Sequence, residues 1–229
     1  MAMVKEDGGN GTRQILKEIF GLTSVKKYAS LYDADGNDTE KGFETIYYSS
    51  GNAKYVCLLK QMDEQADINY DGLILDSKKI GNSEAQEVNV RFDDTFHIYD
   101  VREKAYIGFG KEAKAFIKEG DTKIFALLPY TVDGIDIKVS DKVKQGDTIT
   151  IDIEVNSKKP ESEYVNVINI KVYNPDGEYE WLYSENVSIG EKVFKKIYHV
   201  PYNEKKGIWK VQAKDVATGI CAEKQFEVY

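Results

Sequence analysis

The residue group whose types and spacing suggest chemistry is GEYEWLYS, Gly177 to Ser184. Read as a strand, it puts Tyr179, Trp181 and Tyr183 on one face, with Glu180 and Leu182 on the other. Three aromatic rings in a row on an exposed strand make a flat platform for sugar rings, which stack through their C–H faces. The same alternation describes the core side of a strand whose tyrosine hydroxyls reach the rim. Both readings stay open on the sequence. Trp209 differs, because it heads an alternating closing strand and is expected in a core.

Other chemistry finds little support. The two histidines, His97 and His199, each sit in an expected strand, with no second His or Cys at ligand spacing. That is not a zinc pattern. Nor does a G-x-S-x-G elbow accompany either as a base, and neither a G-x-G-x-x-G after a strand nor a P-loop occurs. Asp33, Asp35, Asn37 and Glu44 are spaced somewhat like a calcium loop, but Gly36 is misplaced and no helices flank them. A hairpin turn is the expectation there. With 39 acidic residues, paired carboxylates carry no signal for glycosidic cleavage. No catalytic residue, metal or cofactor is expected. Cys57 and Cys221 fall in different expected domains, so a bridge would have to cross their interface, and two thiols are the simpler reading.

A net charge of −8 makes DNA or RNA a poor partner. No apolar run of about 18 residues suggests membrane insertion. The opening MAMVKEDGGNGTRQ has no apolar stretch like a signal peptide. It reads as a tail, either an artificial leader or the result of cutting from a longer polypeptide, one that could itself be exported. Two cysteines say little about compartment, and an extracellular or cell-surface location is the expectation.

The elements that would position these residues are almost all strands. RQILKEIFG, Arg13 to Gly21, is the one helix expected, with Ile15, Leu16, Ile19 and Phe20 on one face, Thr12 as cap and Gly21 as stop. So short a helix must dock on something, here the first sandwich or a preceding domain. Strands are expected at Lys27 to Asp33, Phe43 to Tyr48, Lys54 to Lys60, Tyr70 to Asp76, Gln86 to Phe92, Phe96 to Val101, Ala105 to Phe109, Lys114 to Lys118 and Lys123 to Pro129. Turns fall at DADGN, SSGNA and EGD. In the second half, Ile149, Ile151, Ile153 and Val155 share a face, and Tyr164 to Asn174 changes phase near Val167 and Ile168, suggesting a bulge. NPDGE and DVATG are turns. The fold class is all-β: two β-sandwich, immunoglobulin-like domains in tandem with one short N-terminal helix. The expected organisation is a flexible tail over 1–12, a first sandwich over 13–132 and a second over 133–229.

RQILKEIFGL, SLYDADGN, GFETIYYSSGNAKYVCLLKQ, FHIYDVREKAYIG and EGDTKIFALLPY, covering roughly Arg13 to Tyr130, resemble the β-sandwich that follows the catalytic barrel in bacterial β-galactosidase-like glycoside hydrolases. VYNPDGE, HVPYNEKKGIWKVQAKDVATG and the final FEV strand, within about Gly134 to Tyr229, resemble immunoglobulin-like or macroglobulin-like bacterial sandwiches. The resemblance implies a non-catalytic accessory region of a larger carbohydrate-active enzyme, with a preceding catalytic domain and a glycan as partners. The catalytic carboxylates of such enzymes lie in the barrel, so none transfers here. The second half lacks the thioester Cys-Gly-Glu-Gln motif, so inhibitor chemistry does not transfer either. The alternative is a surface protein–protein interaction or adhesion module.

Overall fold

A computed structural model describes residues 10–22, 27–39, 42–61, 84–158, 165–190 and 193–229. The expected strand Tyr70 to Asp76 and residues 1–9 lie outside these. Helix α1 (Asn10–Gly21) starts three residues before the expected Arg13. Asn is a favoured residue type at a helix N-terminus, and such boundaries are the softest part of a sequence reading. Of the face expected to dock on the first sandwich, Ile15, Leu16 and Ile19 are exposed, and the Phe20 side chain lies outside the described residues.

The first sandwich is built from β1 (Ala29–Tyr32), β2 (Phe43–Ser50), β3 (Ala53–Lys60), β4 (Gln86–Asp100), β5 (Ala105–Ile117) and β6 (Thr122–Leu128). They form one sheet in the order β1-β4-β6-β3-β2, with β5 on the other edge of β4. The two strands expected at Gln86 to Phe92 and Phe96 to Val101 are one continuous strand, as are the two expected along β5. The pairing of β4 with β5 shifts register between Arg91 and Phe96, where extra residues bulge out of β4. Such a bulge bends the strand. Before it, β4 pairs with β1, and after it, with β6. The sheet thus folds over itself, and Val88, Val90, Phe92, Phe96 and Ile98 pack with Leu31, Val56, Leu58, Phe125 and Leu127 in one core. The break that reads as a loop in sequence is the corner of the sandwich.

The second sandwich uses β7 (Thr131–Val139), β8 (Lys142–Val143), β9 (Thr148–Lys158), β10 (Asn166–Tyr173), β11 (Glu185–Ile189), β12 (Val193–His199), β13 (Gly207–Asp215) and β14 (Cys221–Val228). A five-stranded sheet, β11-β10-β13-β14-β8, faces a three-stranded one, β12-β9-β7. Ile149, Ile151 and Ile153 meet Ile168, Ile170, Val172, Trp209 and Phe226 between the layers. Trp209 is buried as its pattern requires. The bulge expected near Val167 is absent: β10 alternates cleanly from Asn166 and stays in register with both neighbours. The apparent phase change arises because a polar residue takes a core-side position. Asn166 is buried, and its amide donates to Asp215 Oδ2 at 2.9 Å.

A third cluster joins the two bodies. Ala53, Tyr99, Ala126 and Leu128 from the outer face of the first sheet pack with Tyr130, Val132 and Ala217. Beside it, two turns nest. Lys104 has φ +55, and Gly219 has φ +78. A Cβ on Gly219 would stand 2.5 Å from Lys104 Cβ and 3.3 Å from its Cα. Gly219→Ala therefore combines left-handed strain with a collision between the turns, and about 1–3 kcal/mol of stability is the expected loss. Chemical denaturation checks this; an unchanged midpoint would mean that the two turns do not press on each other.

Candidate functional site

The three aromatics picked out by sequence do not share a strand face. Tyr179 forms an isolated bridge with Tyr173, and the chain then closes a 3-10 turn over Trp181–Tyr183. Ser184 makes this turn: its N–H donates to Trp181 O at 3.2 Å, and its hydroxyl to Glu180 O at 2.7 Å. At about three residues per turn, successive side chains point some 120° apart. Trp181 and Leu182 consequently project outward, with 71% and 67% exposure, while Tyr183 turns inward. The expected flat platform of Tyr179, Trp181 and Tyr183 is corrected to two exposed rings, Tyr179 and Trp181, and a half-buried Tyr183. The core-face alternative is equally overturned for Trp181.

Tyr183 is the link between this loop and the core. Its ring meets Trp209 edge-on at 6.0 Å and Tyr198 at 5.8 Å between centroids. Its hydroxyl donates to Glu204 Oε2 at 2.5 Å, and its carbonyl accepts from the Tyr198 hydroxyl at 3.0 Å. Burial and the neighbouring Glu204 carboxylate both push the Tyr183 phenol well above its ordinary value, so it stays a donor. Tyr198 is pushed up likewise, by burial and by Glu185.

The approach to Trp181 is braced from both sides. Asn174 Oδ1 accepts from the Asp176 and Glu178 N–H groups at 3.0 Å each. Its amide donates to Glu178 at 3.0 Å and to Glu180 at 2.7 Å. Lys205, from the loop after β12, reaches Asp176 at 2.8 Å and Glu178 at 3.1 Å. The backbone carbonyl of Lys205 accepts from the Trp209 indole at 2.9 Å. Asn174 and Lys205 hold the Glu178 carboxyl below its ordinary value. Glu204 and Lys205 were not singled out by sequence reasoning, because the side-chain partners Tyr183, Asp176 and Glu178 lie 21 to 29 residues upstream.

The remaining candidates are scattered. His97, on the outer face of β4, shares a hydrogen bond of 3.0 Å with the Tyr106 hydroxyl, and burial lowers its pKa. His199 closes β12 in the other sandwich. The Asp33 carboxylate accepts from the N–H groups of Asp35 at 3.0 Å and Asn37 at 2.8 Å, which makes DADGN a hairpin turn. Cys57 and Cys221 are free thiols. Among the described residues, no three His, Cys, Asp or Glu side chains group as a metal site.

No family model and no curated protein matches the chain. Among solved structures, a CARDB domain from Pyrococcus furiosus is 17% identical, with 44% of this chain and 89% of that chain covered and a TM-score of 0.31. A superoxide reductase (neelaredoxin) from Ignicoccus hospitalis is 16% identical, with 43% and 82% covered and a TM-score of 0.29. A β-glucuronidase from Parabacteroides merdae is 10% identical; 80% of this chain is covered but only 29% of that chain, with a TM-score of 0.28.

The bracing has a pH signature. Because the folded Glu178 pKa lies below its ordinary value of 4.5, its stabilising contacts are complete above that value and disappear as pH falls through the folded one. The indole N–H resonance of Trp181, assigned with Trp181→Phe, should shift over that interval before global unfolding. Lys205→Ala should move the same resonance at neutral pH. A Trp181 signal indifferent to both changes would show that this brace does not position the ring.

Proposed function

We propose that this chain is a non-catalytic accessory β-sandwich region of a larger bacterial carbohydrate-active enzyme of the glycoside-hydrolase kind. In this reading it divides into sandwiches over 13–132 and 133–229, works at the cell surface or outside the cell, and spaces a preceding catalytic domain from a glycan. Trp181 and Tyr179 hold the sugar through ring stacking, and Tyr183 fixes the turn that presents them. The observation that carries it is the 71% exposure of Trp181 on a loop with an internal brace. A preorganised aromatic loses little freedom on binding.

A second reading, a protein-interaction or adhesion module, draws on a different place. Tyr106, Ile107 and Phe109 are all exposed near the tip of the β4–β5 hairpin, beside His97. That strip suits an apolar protein contact better than a sugar.

Glycan-array binding by the whole chain should fall roughly tenfold or more in Trp181→Ala, with the melting temperature unchanged. Capture of a protein partner that ignores Trp181→Ala but is lost in Phe109→Ala would favour the second reading. The isolated chain should turn over no aryl glycoside. Hydrolysis that survives repurification and vanishes in a point variant would overturn the accessory role.

A further inference from the structure

Beyond the Trp181 loop, the same end of the second sandwich carries a cleft of about 390 Å³, lined by Lys144, Gln145, Asp147, Tyr202, Lys206 and Tyr229. Its size falls within the roughly 300–1,000 Å³ usual for small-ligand sites. Two tyrosine rings border it. Tyr202 is 86% exposed and Tyr229 52%. Their positions are nonetheless held. The Tyr202 ring lies against Gly146, where an added Cβ would come within 2.3 Å of it, and Gly146 has φ +90. A side chain at position 146 would be strained and would also displace the ring. The backbone of Tyr229 is clamped on both sides, its N–H donating to Val143 O at 3.1 Å and its O accepting from Gln145 N at 3.0 Å.

The polar groups of this end divide into two sets. Gln145 and Glu204 brace the loops to each other and to Tyr183, and Lys205 ties to Asp176 and Glu178. The side chains of Lys144, Asp147, Lys206 and Tyr202 make no hydrogen bond or ion pair among the described residues. These unengaged groups line the cleft together with the braced Gln145 and with Tyr229. Two cations and a carboxylate lining one cleft discriminate among ligands. A lysine only donates and a carboxylate only accepts, whereas a hydroxyl does both. The two lysines disfavour a cation, and the Asp147 carboxylate offers an acceptor that a hydroxyl can use and an anion cannot. A neutral ring with hydroxyls at its rim and apolar C–H faces satisfies both signs and both aromatic walls.

We infer that this cleft is a binding site for a neutral pyranose sugar, seated against Tyr202 and Tyr229 with its hydroxyls toward Lys144, Asp147 and Lys206. The site stands without Trp181 and Tyr179. It would give the chain a second point of contact with a polysaccharide, and two linked contacts raise retention beyond either alone.

The test is affinity electrophoresis of the whole chain in native gels containing neutral β-glucan, xylan, galactan or mannan, with polygalacturonate as the acidic comparison. At least one neutral polymer should retard the protein. Tyr202→Ala should weaken that retardation about tenfold. Lys206→Ala should weaken it too, and serves should Tyr202→Ala lose its native melting transition. Loss in a folded Tyr202→Ala supports the cleft whether or not Trp181→Ala also binds less. Retardation abolished by Trp181→Ala but untouched by Tyr202→Ala and Lys206→Ala overturns the cleft and leaves the Trp181 surface standing. Retention in all three variants, retardation by polygalacturonate alone, or none by any neutral polymer also overturns it.

Discussion

Small side chains at the junction between the sandwiches are the constraint on which the arrangement depends. Ala53, Ala126 and Ala217 are all buried there, and they leave room for Tyr99, Leu128 and Tyr130 to be buried with them. The register makes this systematic. Tyr106, Tyr99, Ala126, Tyr55 and Tyr48 lie on one row across five strands of the first sheet, with alanine at the centre. A larger residue at Ala126 would force the second body away from the sheet, since close-packed interiors absorb extra volume poorly. The row leaves its end residues, Tyr48 and Tyr106, exposed beyond the covered middle.

The junction also explains a buried carboxylate that would otherwise be costly. Asp215 is fully buried, and its oxygens accept from the Asn166 amide, the Thr218 N–H and the Thr218 hydroxyl at 2.8–2.9 Å. A buried charge is tolerable only when its hydrogen bonds are made. Here they shape the turn that carries Ala217 into the interface and Gly219 against Lys104. One polar network thus holds the turn by which the second sandwich meets the first.

The far end of the second sandwich applies the same logic to exposed rings. Tyr183, Trp209 and Tyr198 form a core-side, edge-to-face cluster whose polar tips reach Glu204, the Lys205 carbonyl and the Tyr183 carbonyl. Amphipathic aromatics serve this role because one end is apolar and the other needs a partner. Through them the loops carrying Trp181 and Tyr202 are tied to a packed interior, so a surface with several exposed aromatics keeps a defined shape.

What the sequence by itself determined is the class of structure and most of its strands. Period-two alternation at Ile149, Ile151 and Ile153, and the turn chemistry of DADGN, NPDGE and DVATG, act over a few residues and need no knowledge of the rest of the chain. It misled where a local pattern had two physical outcomes. EYEWLY alternates like a strand, yet Ser184 closes it into a 3-10 turn; Val167 looks out of phase, yet Asn166 is buried by a partner forty-nine residues away. The continuity of β4 through its bulge, the alanine row and the grouping of Tyr202 with Tyr229 were decided only by the tertiary structure. Each depends on contacts between residues distant in sequence, and no local propensity encodes which distant strand or loop will arrive.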